Sequence, residues 1–135
     1  MLFKRVLATN SAGLPQVSRQ GLGIVANVDI TSKTTNVDHT LTVAEMAGGM
    51  VYYSALSAGR TVTTPTAALI LAACPDMDIG DSFSFIVSIQ DAFAITWAAG
   101  DANVTLAGRA TTPASSWSFI TVTKLTATTV QWHVS

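Results

Sequence analysis

Eight consecutive residues, Ser82–Ile89, place Phe83, Phe85, Val87 and Ile89 on one side of an extended chain. Ser82, Ser84 and Ser88 fall on the other side, interrupted only by Ile86. A period of two suits a strand with one face against a core; helical faces repeat about every 3.6 residues instead. Residues 117–125 alternate apolar and mostly hydroxyl side chains from Trp117 to Leu125, and residues 129–134 do the same. Ala127-Thr128 leaves a short connection between them, so a C-terminal hairpin is expected. Further strands are expected over 50–56, 60–63, 94–98, 103–106 and 109–112, punctuated by Gly59, Gly80, Gly100 and Gly108.

One helix is expected, over about 66–74. Thr64 or Thr66 can cap it, Pro65 suits a first-turn position, and Ala67-Ala68-Leu69-Ile70-Leu71-Ala72-Ala73 are good helix formers. Pro75 stops it. A shorter helical turn at Val43-Ala44-Glu45-Met46-Ala47 ends at Gly48-Gly49.

Charge divides the chain into two parts. Residues 1–35 carry Lys4, Arg5, Arg19 and Lys33 against Asp29 alone, a net +3; residues 36–135 carry three basic and seven acidic groups, a net −4. The first part also holds Ser11, Gly13, Pro15, Gly21 and Gly23 and has weak periodicity. It reads as an extended N-terminal arm with one strand near 23–30, ahead of a compact β domain over 36–135.

Only 11% of the 135 residues are charged, against about 25% in an ordinary soluble domain. Hydrophobic residues make up 49%. Disorder requires the reverse balance. Seven Lys and Arg against eight Asp and Glu give no basic surplus for nucleic acid. The longest apolar run, Ala67 to Cys74, is eight residues, short of the roughly 18 that a membrane span needs. Lys4 and Arg5 are followed by Asn10, Ser11, Gly13 and Pro15, so no secretory signal is expected. The chain reads as soluble, with too few charges for a monomer's whole surface, so another subunit is expected to cover part of it. Its 19 Thr and 12 Ser point the same way. Thr suits the pleat, can hydrogen-bond across strands, and loses less than Lys or Glu when water is removed.

Chemistry-bearing residues are sparse. Cys74 is the single cysteine, which excludes an internal disulfide and a Cys-based metal site, and it reads as a buried structural thiol. His39 and His133 sit in neither a Gly-rich elbow nor a helix-borne zinc motif. Asp76, Asp78 and Asp81 have calcium-loop density, but Gly80 is misplaced for an EF-hand and no Glu follows at the right distance. A helix-to-strand turn with Asp caps accounts for them better. Gly21-Leu22-Gly23-Ile24-Val25-Ala26 matches a loose dinucleotide pattern without a βαβ unit around it, and Asn103-Val104-Thr105 is a glycosylation sequon in form alone. No catalytic residue, metal ligand or cofactor is assigned.

Two features suit partners instead. Trp97, Trp117 and Trp132 can each bury a large area, in the core or at an interface. In Met1-Leu2-Phe3-Lys4-Arg5-Val6-Leu7, the residues Leu2, Phe3 and Val6 are candidate apolar anchors, and Lys4 and Arg5 suit acidic groups on a partner. Such a segment could add to a neighbour's sheet edge.

Three stretches carry a family resemblance. They are Arg60-Thr61-Val62-Thr63-Thr64-Pro65-Thr66-Ala67-Ala68-Leu69, then Ile79-Gly80-Asp81-Ser82-Phe83-Ser84-Phe85, then Ala98-Ala99-Gly100 leading to Val104-Thr105-Leu106-Ala107-Gly108. Over roughly 40–135 the chain resembles capsid decoration (cement) proteins of tailed bacteriophages, with related modules in tail fibres. The resemblance implies a β-sandwich or jelly-roll-like domain and a homotrimer bound to the major capsid protein on the outer surface of the virion, with no catalytic residues. A tail-fibre or receptor-binding module is the alternative.

Overall fold

The computed structural model describes residues 29–135 and the backbone of residues 8–9 and 15–16. The arm residues Leu2, Phe3, Lys4, Arg5 and Val6, the segment 21–26 and most of the strand expected over 23–30 lie outside the described residues. The elements run β1 (Ala8–Thr9), β2 (Pro15–Gln16), β3 (Asp29–Lys33), β4 (His39–Thr40), α1 (Val43–Ala47), β5 (Gly49–Tyr53) and β6 (Arg60–Thr63). They continue as α2 (Ala67–Ala73), β7 (Ser82–Ile89), β8 (Ile95–Ala98), β9 (Val104–Gly108), β10 (Thr111–Thr112), β11 (Trp117–Lys124) and β12 (Val130–Val134).

The fold is mainly β, as expected, with two short helices. β1 and β2 form a small antiparallel ladder. The other strands form a six-stranded sheet, ordered β3-β5-β7-β11-β12-β9, and a four-stranded sheet, ordered β10-β8-β6-β4. Pairing is mixed. β7, β11 and β12 pair antiparallel, whereas β3 with β5, β5 with β7, and β9 with β12 run parallel. β4, β6 and β8 are parallel as well. β3 pairs with β5, so residues 29–33 of the segment read from composition as arm lie in the large sheet.

The alternation at β7 determines the inner face. Phe85, Val87 and Ile89 are buried, and Ser82 and Ser84 are exposed. Val51 and Tyr53 from β5, Ile120 and Val122 from β11, and Val130, Trp132 and Val134 from β12 join them in one core with Val62, Ile95 and Trp97 of the smaller sheet. The Trp97 and Trp132 rings meet across the two sheets with centroids 5.5 Å apart, and Phe85 meets Trp132 edge-on at 5.5 Å.

The helices close this core. Thr66 caps α2, its Oγ1 accepting from the Leu69 backbone N–H at 3.3 Å. Pro65 therefore precedes the cap instead of lying in the first turn. Ala67 and Ile70 face the core, and Leu69 stays exposed. Thr42 caps α1 in the same way, its Oγ1 accepting from Glu45 N–H at 3.2 Å, and Met46 is fully buried. The expected C-terminal hairpin is present, with Thr121 opposite His133 and Thr123 opposite Gln131.

Candidate interaction surface

The outward side of the six-stranded sheet is built by the strands that make the core. Side chains alternate along each strand, so the residues between the buried ones face away. Register aligns them into rows. Ile30 lies opposite Met50, Met50 opposite Ile86, and Ile86 opposite Phe119, an apolar row across four strands. The next row is Ser32, Tyr52, Ser88 and Trp117. Beyond the apolar row on its other side, Ser84 pairs with Thr121, their hydroxyls 3.0 Å apart, and Thr121 with His133. None of the outward positions on these strands is Asp, Glu, Lys or Arg.

The centre of this face is wide open. Trp117 is 56% exposed and Phe119 45%. Their rings form an edge-to-face pair with centroids 5.1 Å apart, so they hold one another on the surface. The phase of β11 explains their position. Phe119 and Ile120 are both apolar, and only one can point inward. Register places Ile120 opposite core Phe85 and leaves Phe119 opposite Ile86, outside. Ser118 turns inward with Ile120 and is fully buried.

The smaller sheet also presents an uncharged outer face. Thr61, Thr96 and Thr111 form one row, and Thr40, Thr63 and Ala98 the next. A half-open cleft of about 460 Å³ lies where this face meets α2, lined by Thr40, Leu41, Thr63, Pro65, Leu69 and Gly100 among others. Gly100 is needed at its rim. A Cβ there would come within 2.4 Å of the Thr64 carbonyl oxygen.

Of the three tryptophans considered for an interface, two are core residues. Trp97 is 5% exposed and donates its Nε1–H to Thr112 Oγ1 at 3.1 Å; Trp132 is fully buried. They alternate inward with β-branched neighbours, and each fills the gap between the sheets. Trp117 alone of the three is presented to solvent.

Several of the polar residues weighed for chemistry have partners within the fold. His39 Nδ1 lies 2.9 Å from the Val37 carbonyl, which can only accept, so this nitrogen carries a proton. Its Nε2 meets the buried Tyr53 hydroxyl at 2.8 Å. Burial, and secondarily the nearby Glu45 carboxylate, push the Tyr53 hydroxyl well above its ordinary range. Glu45 is held by Lys33, Nζ to Oε1 3.1 Å. Asp81 Oδ2 accepts from Asp78 N–H at 2.9 Å, and Gly80 takes a positive φ of 96°, the expected turn. Among the described residues no cluster of His, Cys, Asp or Glu could hold a metal ion. Cys74 is buried, which pushes its thiol up, with Asp76 adding to the effect.

No family model, curated protein or solved structure matches the chain.

Proposed function

We propose that this chain is a virion structural protein, a trimeric cement that binds the major capsid protein on the outer surface of a phage head. In this reading the two sheets make a sandwich-like body whose broad faces are contact surfaces. The observation carrying it is that the outward positions of both sheets are mostly hydroxyl and apolar, with Gln131 and His133 the other polar members of the larger face, and include no Asp, Glu, Lys or Arg. Such faces lose little when water leaves. The task of a cement protein is mechanical. Binding only the assembled shell stabilises that state by mass action, and several contacts per trimer act together. Leu2, Phe3 and Val6 would anchor the arm, with Lys4 and Arg5 against acidic groups on the shell.

Purified virions whose genome encodes this chain should contain it in copy number comparable to the major shell protein. Quantitative mass spectrometry that finds it absent refutes the reading. Removal of residues 1–10 should weaken binding to expanded shells; unchanged affinity in a cosedimentation assay removes the arm from the account.

One observation favours a second reading, a tail-fibre or receptor-binding module. The exposed Trp117–Phe119 pair could stack on a sugar ring. Selective binding on a glycan array, lost in Trp117→Ala, would favour it.

A further inference from the structure

We infer that the outer face of the six-stranded sheet is the surface through which copies of this chain associate. The apolar row Ile30, Met50, Ile86 and Phe119, with Trp117 beside it, forms the centre of the contact. This deepens the self-association part of the proposed function, pairing two copies at this face, and uses nothing of its trimer stoichiometry or its capsid part.

Charge identifies the occupant. A partner bringing Lys, Arg, Asp or Glu to this face would bury charges against side chains unable to neutralise them, and the lost hydration would oppose the contact. A second copy brings none, because its own face is equally uncharged. Its hydroxyl rows can exchange hydrogen bonds with hydroxyl rows, and its apolar row can cover an apolar row.

Area agrees with this. Six strands at about 4.8 Å spacing make the face about 24 Å wide, and strands averaging six residues run about 20 Å. About 500 Å² per copy, or about 1,000 Å² in total, reaches the lower bound for a specific contact. The exposed aromatic pair is at the kind of position where binding energy concentrates, since large rings give much contact area for little lost freedom.

The test is sedimentation equilibrium of the full chain at micromolar concentration, on wild type, Phe119→Glu and Ile86→Glu. Both substitutions point outward, and circular dichroism with thermal unfolding checks that each variant stays folded. Wild type should be oligomeric, and each variant should raise the self-dissociation constant about thirtyfold or more. A wild-type monomer overturns the inference, including the case in which the chain's own first 28 residues cover the face. An oligomer unchanged in both variants overturns it too. Capsid cosedimentation is scored separately: an oligomer that follows this pattern but binds no shell overturns the functional reading and leaves the face standing.

Discussion

Trp132 stands between Phe85 and Trp97 at the join of the two sheets. Trp132→Ala would leave a large cavity there, with an expected loss of about 3–5 kcal/mol. That is a large part of the 5–15 kcal/mol typical of a domain, so urea titration should show a much lower midpoint. Ser118 offers the opposite case. Its hydroxyl is buried, and among the described residues no partner bonds to it. Ser118→Ala should raise stability by about 1 kcal/mol in the same titration. Tyr53 brings a pH dependence. Its hydroxyl titrates higher in the folded protein than its ordinary value of 10.0. The group's contribution is therefore fully present below about pH 10. Above that, the unfolded chain releases this proton and the folded protein holds it, so stability falls as pH rises. Tyr53→Phe should flatten the alkaline limb of a stability profile, at the expense of the His39 hydrogen bond.

The cap of α2 and the corner after β9 are where single residues control whole elements. Thr66→Ala removes the acceptor for Leu69 N–H and should lower stability by about 1 kcal/mol by thermal unfolding. Gly108 ends β9 at a φ of 77°, and a Cβ on it would lie 2.1 Å from the Val134 carbonyl oxygen. That carbonyl accepts the Arg109 N–H at 2.8 Å. Gly108→Ala should therefore separate the end of β9 from β12 and raise hydrogen exchange there, with a loss of about 1–3 kcal/mol. The same elements show what sequence pattern can and cannot specify. β7 was legible residue by residue because its alternation lacks competing apolar positions near its centre except Ile86. In β11 the adjacent Phe119 and Ile120 permit either phase, and only pairing with β7 selects Ile120 for the core. The exposed aromatic pair was hidden by that ambiguity. The parallel partners of β3, β4 and β9 were hidden for another reason: turn residues announce a hairpin, but nothing local announces a strand lying alongside.

Across the whole molecule, the low charge proposed as a mark of subunit contact has a definite location, the outward faces of both sheets. Self-association through the larger face should persist as salt is raised to 1 M, since no ion pairs hold it; sedimentation at both ionic strengths checks this. An arm contact using Lys4 and Arg5 would weaken over the same range. The apolar row also imposes an order of events. Its residues come from positions 30, 50, 86 and 119 and meet only when β3, β5, β7 and β11 have paired. No piece lacking any of these four strands contains the whole row, so a copy in which they have not yet paired does not display it. Pairings of such long sequence separation form slowly. The face proposed for self-association is therefore assembled late: it exists only in a copy whose four strands, far apart in sequence, have already found one another.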